Sequence, residues 1–163
     1  MQEFFTKRIY VLLSSYGFRN DVIRTSLHNN KINPLFILNR AKQLTKLLDS
    51  RTGKDFLRAF KRLNSLISED YKEELNIKLF EKNQELNLKD LIDELNMLSK
   101  KNQDDFIFNN IKFMKKMTFG LNNFFDNVIV NVKNSELKKN RKILIYKFHK
   151  ILEDKYSFSS LEI

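Results

Sequence analysis

Apolar residues recur three and four positions apart along most of the chain, which is the spacing of amphipathic helices that bury one face. A first helix is predicted over residues 3–15, and Gly17 is expected to end it because glycine readily adopts the left-handed conformation of a C-cap. The apolar side of this helix is predicted to hold Phe4, Phe5, Ile9, Leu12 and Leu13.

Two further helices are predicted before residue 50. Asn20 or Asp21 is expected to start a short one that contains Val22 and Ile23. The next is expected to start at Asn33-Pro34, because Asn caps a helix and Pro fits its first position, and to end near residue 49. Its inward residues are predicted to be Leu35, Leu38, Ala41, Leu44, Leu47 and Leu48.

A fourth helix is predicted from a capping box at residues 52–55, with Asp in the place of Glu, to about Ile67. One face of this helix carries the apolar residues Phe56, Leu57, Phe60, Leu63 and Ile67. The opposite face carries the cations Lys54, Arg58, Lys61 and Arg62. The fourth helix is therefore expected to bury one side and to expose a positive one.

The middle of the chain is acidic and predicts two helices. A break is expected near residues 83–87, after which Asn87 caps a helix. Asn102, with Asp104 and Asp105, is expected to start the next one, which Gly120 ends. The apolar residues of these two helices are Leu88, Leu91, Ile92, Leu95, Leu98, Phe106, Ile107, Ile111, Phe113, Met114 and Met117.

Residues 124–152 hold two apolar stripes separated by a charged turn. The β-branched residues of 124–132 favour a strand, but no strand partner exists in the flanking helices, so a helix is predicted. Ser135 is expected to start the last helix. Four cations near that start, which we call the basic turn, are Lys138, Lys139, Arg141 and Lys142. The chain is expected to be all-α, a single domain over residues 1–163 built as a bundle of seven to nine helices.

Composition narrows the class of protein. The chain has no Cys, which excludes disulfides and thiolate metal sites and is compatible with a reducing compartment, and no apolar run approaches the ~20 residues of a membrane span. The net charge of +10 is uneven: residues 1–68 sum to +9, residues 69–94 to −5 and residues 95–163 to +6. This predicts a side that faces a polyanion and an acidic side turned away from it. A solvated surface with a random lysine excess is the alternative.

Catalytic motifs are absent from the sequence. It has no Gly-rich phosphate loop, and His28 and His149 are far apart, so no metal site and no catalytic residue is predicted. His28 is expected at the surface and His149 in helix packing. The carboxylates of residues 69–74 and 90–94 are expected to be solvated. The absence of catalytic motifs from the sequence favours a binding module over a catalyst.

The candidate polyanion surface combines the cationic face of the fourth helix with the basic turn. Its RNA-binding residues are predicted to be Lys54, Arg58, Lys61, Arg62, Lys138, Lys139, Arg141 and Lys142, with Lys112, Lys115 and Lys116 as an extension. Tyrosines are available to stack on bases, or else to pack at the margin of the core. They are Tyr10, Tyr16, Tyr71, Tyr146 and Tyr156.

Four segments in order along the chain read EFFTKRIYVLLSSYGFRNDVIRTSL, FLRAFKRLNSLI, FFDNVIVNVKNSELKKNRKILIYKFHKIL and SFSSLEI. They resemble the C-terminal region of the β chain of bacterial two-subunit glycyl-tRNA synthetases. The resemblance implies a helical bundle of the class I synthetase anticodon-binding type. It implies that the chain is the C-terminal part of a longer cytoplasmic β chain and binds the anticodon stem-loop of tRNA-Gly.

In that family the α subunit binds ATP and glycine, so no cofactor is expected in this chain, and ATP and Mg belong to the holoenzyme. The implied partners are tRNA-Gly, the α subunit and upstream β-chain domains. The sequence departs from the family pattern at Lys138, where Arg is common, and at residues 58–60 and 143–145. Asp126 and Arg141 are expected to form an ion pair between the two final helices.

Two other functions remain open. A helical protein-interaction module that docks on another subunit without RNA contact is favoured by the closely spaced Phe106, Phe108 and Phe113, one of which is expected to be exposed. A basic membrane-surface protein is disfavoured by the acidic middle of the chain.

Overall fold

The computed structural model describes residues 2–28, 33–101 and 106–162. Within these ranges the chain forms eight α-helices and no strand, which confirms the all-α prediction. The helices are α1 (Gln2–Ser15), α2 (Asn20–Ser26), α3 (Pro34–Asp49), α4 (Arg51–Ser65), α5 (Asn83–Lys100), α6 (Phe106–Asn109), α7 (Ile111–Asn127) and α8 (Ser135–Tyr156). Short 3₁₀ turns lie at Ile77–Leu79 and Phe158–Ser160.

Helix boundaries in the first half of the chain follow the local signals, with one exception. Gly17 has a φ of 81°, as its role after α1 requires, and the Asn33 side chain accepts hydrogen bonds from two backbone N–H groups at the start of α3. The capping box predicted at residues 52–55 is wrong. Ser50 caps α4 instead, because its hydroxyl accepts a hydrogen bond from the Gly53 N–H at 2.9 Å.

In the second half of the chain, two positions at which a helix was predicted to be interrupted lie inside helices. α5 begins at Asn83 and runs through residue 87, since the Glu85 carboxylate accepts hydrogen bonds from the N–H groups of residues 81 and 82. α7 passes through Gly120. A Cβ at Gly120 would lie 2.2 Å from Leu91 Cδ1, so this glycine lets α7 approach α5 closely. The predicted helix start at residues 102–105 lies outside the described residues.

The segment after Phe124 ends a helix rather than continuing one. α7 stops at Asn127, and Val128 is extended, with φ −119° and ψ 117°. Val128 and Val130 are buried while Ile129 is exposed, which is the alternation of an extended chain. The helix predicted through residue 132 is therefore wrong in its second half, where the β-branched residues adopt an extended backbone instead. α8 begins at Ser135 as predicted, but the side chain that caps it is that of the preceding residue, Asn134.

A group of aromatic rings fills the core between α4, α6 and α8. After α8, Ser157 adopts a left-handed conformation (φ 52°), and the next residue, Phe158, is buried. The Phe158 ring lies 5.5 Å from that of Phe56 and 5.1 Å from that of Tyr156, between ring centroids. The last turn of the described chain is therefore part of the core.

The apolar side of α1 is mostly not covered. Ile9 and Leu13 are buried, whereas Phe4, Phe5 and Leu12 are exposed. Their predicted burial is wrong because, among the elements that the structure describes, α2 alone packs extensively against α1. Leu35 of α3 is exposed as well. In the part of the chain that is described, no helix combines the length and apolar character needed to cross a bilayer.

Candidate nucleic-acid interface

The outer face of α4 is positively charged. The helix buries Phe56, Leu57, Phe60 and Leu63 and packs against α3, α7 and α8, and the helical repeat places its cations on the other side. We call this set the α4 basic face: Arg51, Lys54, Arg58, Lys61 and Arg62. All five residues are exposed, and four of them were predicted from the sequence.

Two arginines of the α4 basic face form ion pairs that are open to solvent. Arg58 Nη1 lies 3.2 Å from an oxygen of Asp55, and Arg62 Nη1 lies 3.7 Å from an oxygen of Asp126. The Arg62 guanidinium also lies over the Phe125 ring, 4.6 Å from its centroid. Exposed pairs contribute only about 0.2–1 kcal/mol, so a phosphate can replace these carboxylates. Among the residues described, no carboxylate pairs with Lys54 or Lys61.

Arg141 of the basic turn is buried, with 3% of its surface exposed. Its Nε donates to Glu85 Oε1 at 2.9 Å, its Nη2 to Glu81 Oε2 at 3.0 Å and its Nη1 to the Ile129 carbonyl at 3.0 Å. Burial lowers the pKa of Arg141, but the hydrogen bonds and charges of the two glutamates outweigh it and raise the pKa overall. Arg141 therefore lies in the interior, away from the surface on which RNA contact was predicted.

The predicted pair between Asp126 and Arg141 is wrong, since Asp126 faces Arg62. The partner of Arg141 is Glu85, which is fully buried at the start of α5. That glutamate also caps the backbone of α5, so one buried ion pair fixes the beginnings of α5 and α8 against each other.

The lysines of the basic turn face an acidic segment. Lys139 Nζ lies 2.5 Å from Glu73 Oε1, and this contact lowers the pKa of Glu73 and raises that of Lys139. Further along α8, Lys147 approaches Glu74 and the Tyr146 hydroxyl donates to Asp70. The acidic segment was expected to turn away from the cations, but it lies along α8. Lys138 and Lys142 are half-buried.

A cleft runs between α4 and α7. Its main volume is about 620 Å³, and a smaller volume of about 350 Å³ adjoins it beside Arg58 and Arg62. α7 contributes Lys115, Phe119 and Asn122 to the main volume. A third hollow of about 290 Å³ lies on the other side of Phe119, against α5.

Sequence reasoning did not select Arg51, Phe119 or Asn122. The signal was present, since residues 115, 119, 122 and 126 recur at helical spacing and form one stripe of α7. It was missed because Gly120 was taken as the end of the helix. Lys115 lies on this stripe, whereas Lys116 pairs with Glu94 of α5 and Lys112 is exposed nearer the start of α7.

The tyrosines and histidines differ in how far their side chains are buried. Tyr146 and Tyr156 are buried, Tyr10 and Tyr71 are half-buried, and Tyr16 is 62% exposed. His149 packs in the core margin as predicted, with its ring stacked on that of Phe60 at 5.1 Å, and burial lowers the pKa of His149. His28 is half-buried, and its Nε2 lies 3.1 Å from the Asp154 carbonyl oxygen.

Comparison with known proteins gives consistent relatives along nearly the whole chain. The chain is 29% identical to the glycine–tRNA ligase β subunit of Thermodesulfovibrio yellowstonii over 161 residues, which are 97% of this chain. It is 26% identical to the β subunit of Buchnera aphidicola over 98% of this chain, and 24% identical to that of Persephonella marina over 93%. The chain is similar to part of a glycine–tRNA ligase β subunit.

These matches confirm the resemblance to the glycine–tRNA ligase β subunit, and they are consistent with a C-terminal domain of that subunit. The chain spans 22–24% of the length of these β subunits. No family model matches the chain.

Proposed function

We propose that this chain is the tRNA-binding domain of a glycine–tRNA ligase β subunit, and that it contacts the anticodon stem-loop of tRNA-Gly through the α4 basic face. The observation that carries the proposal is the alignment of five exposed cations along one helix, in a chain whose relatives are β subunits of this ligase.

The charge and shape of the α4 basic face suit the phosphate backbone of RNA. Arginine presents a planar fork of donors that pairs with two phosphate oxygens, and lysine adds a compact charge. Neutralising phosphates releases condensed cations from the RNA, which favours binding at low salt. These contacts supply affinity and orientation, while base recognition requires other groups.

In this proposal the domain itself carries out no chemistry. ATP-dependent activation of glycine, with its Mg²⁺, belongs to the α subunit, and the domain holds the tRNA while the acceptor end reacts elsewhere. The α subunit and the remaining β-chain domains are the protein partners. Lys138, Lys139 and Lys142 of the basic turn remain secondary candidates for RNA contact, because acidic residues already lie beside α8.

Titration of the chain with tRNA-Gly and with a mismatched tRNA across a series of salt concentrations tests the proposal. Log affinity is expected to fall against log salt with a slope of roughly −0.7 to −0.9 per neutralised phosphate. Arg58→Ala with Arg62→Ala is expected to weaken binding and to reduce the magnitude of the slope by about one for each phosphate that is no longer neutralised.

Lys100→Ala with Lys101→Ala is the matched control, since it removes the same number of exposed charges at the end of α5, outside the α4 basic face and the basic turn. Urea unfolding of each variant separates loss of binding from loss of structure, because Arg62 also packs on Phe125. Equal affinities and salt slopes for the Arg58/Arg62 variant and the unsubstituted chain would contradict the proposed surface.

A second function, contact with another protein, is favoured by α1. Two of the three phenylalanines that first indicated it do not support it, because Phe113 is buried and Phe108 packs at 5.3 Å on the Tyr156 ring. The side chain of the third, Phe106, lies outside the described part of the structure. α1 instead exposes a stripe of large apolar side chains, a feature typical of partner surfaces. They are Phe4, Phe5, Val11, Leu12 and Tyr16.

Val11→Asp tests this second function, with Ile129→Asp, which is equally accessible but distant in sequence, as the control. Binding to the rest of the β subunit and to the α subunit is expected to weaken for Val11→Asp alone, because the charge must lose water at a buried interface. Unchanged binding of both variants would show that the α1 stripe is not a contact surface.

A further inference from the structure

We infer that the cleft between α4 and α7 holds an unpaired base of the RNA, stacked on Phe119 and hydrogen-bonded at its edge by Asn122. The inference rests on the proposed RNA binding and specifies which chemical group of the RNA enters the cleft.

The aromatic ring of Phe119 is accessible to a ligand from solvent. It is 72% exposed, although α7 is firmly packed on both sides, against α4 and α5. Hollows of about 620 Å³ and 290 Å³ lie on its two sides, so a flat group has room beside the ring. Gly120 lies against Leu91, which fixes this part of α7. Base–aromatic stacking on a rigid platform is a common mode of single-stranded RNA recognition.

Asn122 lies one helical turn after Phe119 and lines both parts of the cleft. Its amide carries two donor hydrogens and an acceptor oxygen, and none of them makes a hydrogen bond to another described residue. The neighbouring Asn123 differs, since its Oδ1 accepts from Asn127 Nδ2 at 3.0 Å. An amide with both donor and acceptor matches the Watson–Crick or Hoogsteen edge of a base.

Charge around the cleft favours a nucleotide over an apolar peptide. Arg51 of α4 and Lys115 of α7 line its main volume together with Asp55 and Asp126, and neither cation pairs with a carboxylate in the described part of the chain. With Arg58 and Arg62 in the adjoining volume, the cleft has four cations against these two carboxylates. Arg58 and Arg62 are held only by exposed ion pairs. Phosphates on either side of a stacked base would be neutralised by these cations, whereas an apolar partner would desolvate them without compensation.

Tryptophan fluorescence tests the stacking directly, because the chain contains no Trp. Phe119→Trp introduces a single fluorophore at the predicted platform, and Met97→Trp, at an exposed position of α5, is the matched control. Addition of tRNA-Gly at low salt is expected to quench and shift the emission of Phe119→Trp but not of Met97→Trp. Inorganic polyphosphate, which has charge but no bases, is expected to leave both unchanged.

Affinity measurements complete the test. Phe119→Ala is expected to weaken tRNA-Gly binding by about tenfold because the stacking of the base is lost, while Phe119→Tyr retains it. Asn122→Ala is expected to weaken binding by about tenfold as well, because the hydrogen bonds to the base edge are lost. Their salt slopes are expected to match that of the unsubstituted chain, since no phosphate contact is removed.

The two proposals fail in different ways. Salt-sensitive binding of tRNA with no quenching at Phe119→Trp and full affinity of Phe119→Ala would overturn the base site and leave RNA binding by α4 standing; the ring would then face a protein surface. Absence of salt-sensitive tRNA binding by the unsubstituted chain would overturn both.

Discussion

The two groups of cations at α4 and at the start of α8 are alike in the sequence and differ in the folded chain. Residues 54–62 of α4 contain four of the five cations of the α4 basic face, and residues 138–142 contain the four cations of the basic turn, each set beside an apolar stripe. On α4 the side chains project to solvent, and their carboxylate partners are exposed. On α8, Arg141 is buried on Glu85, and Lys139 faces Glu73. The two groups differ in exposure because segments distant in sequence place several carboxylates beside α8, whereas they place few beside α4.

The largest effect that distinguishes the two groups is expected from Arg141→Met. Removing one partner of a buried pair leaves Glu85 charged and uncompensated, which costs about 3–5 kcal/mol of the free energy of unfolding. Urea denaturation followed by circular dichroism measures this loss. Lys139→Met, two positions earlier, is expected to change stability little because both members of its pair are half-exposed.

A double variant sharpens this prediction. Arg141→Met with Glu85→Gln removes both charges, and it is expected to recover part of the lost stability, although the backbone N–H groups of residues 81 and 82 keep only a neutral acceptor. Equal stability of Arg141→Met and the unsubstituted chain would mean that α8 carries its arginine on the surface, as α4 does.

A pH-dependent effect is expected where the two helices meet, at the stacked rings of Phe60 and His149. Burial holds the pKa of His149 below its ordinary value of 6.5. At higher pH the ring is neutral in both states. As the pH falls below 6.5 the unfolded chain binds a proton that the folded chain does not, so the free energy of unfolding decreases until the folded pKa is reached.

His149→Phe is expected to remove this decrease, because a neutral ring can stack on Phe60 at every pH. Unfolding free energies measured between about pH 7.5 and pH 5 test this, with His28→Gln as the control for loss of a histidine. A decrease that persists unchanged in His149→Phe would assign it to another group.

The smallest effect is expected from Glu73→Gln, which releases Lys139 from its partner. The free energy of unfolding is expected to change little. Affinity for tRNA is expected to rise by about twofold at low salt, where charges act over roughly 30 Å, since one charge that repels the RNA is removed. Direct titration measures this rise, and Asp93→Asn on α5 is the control. A decrease in affinity would indicate that Glu73 itself supports the RNA surface.

Local sequence was sufficient where neighbouring residues determine the structure. The cationic face of α4 follows from the helical repeat, and the Asn33 cap and the Gly17 turn follow from the conformational preferences of those residues. These features need no knowledge of the rest of the chain.

The predictions were wrong where contact with a segment distant in sequence determines the position of a side chain or the end of a helix. Glu85 lies 56 residues from Arg141, and nothing near either residue indicates that they meet. Gly120 looked like a helix end because its role, close contact with Leu91 on another helix, is tertiary. The cleft between α4 and α7 was not predicted either, because it also depends on the packing of two helices. The proposed site on α7 therefore depends on the position of α4 beside it, which the sequence of α7 does not indicate.

The position of Phe158 has a consequence for synthesis of the protein. Its ring occupies the centre of the aromatic group that α4 and α8 share, and it follows all of the other rings of that group in the sequence. The nascent polypeptide cannot complete that group until this codon has been translated and the residue has left the ribosomal tunnel. Termination before Phe158 would release a chain with a phenylalanine-sized hole between its helices, which is expected to raise the unfolded fraction that proteases can cleave.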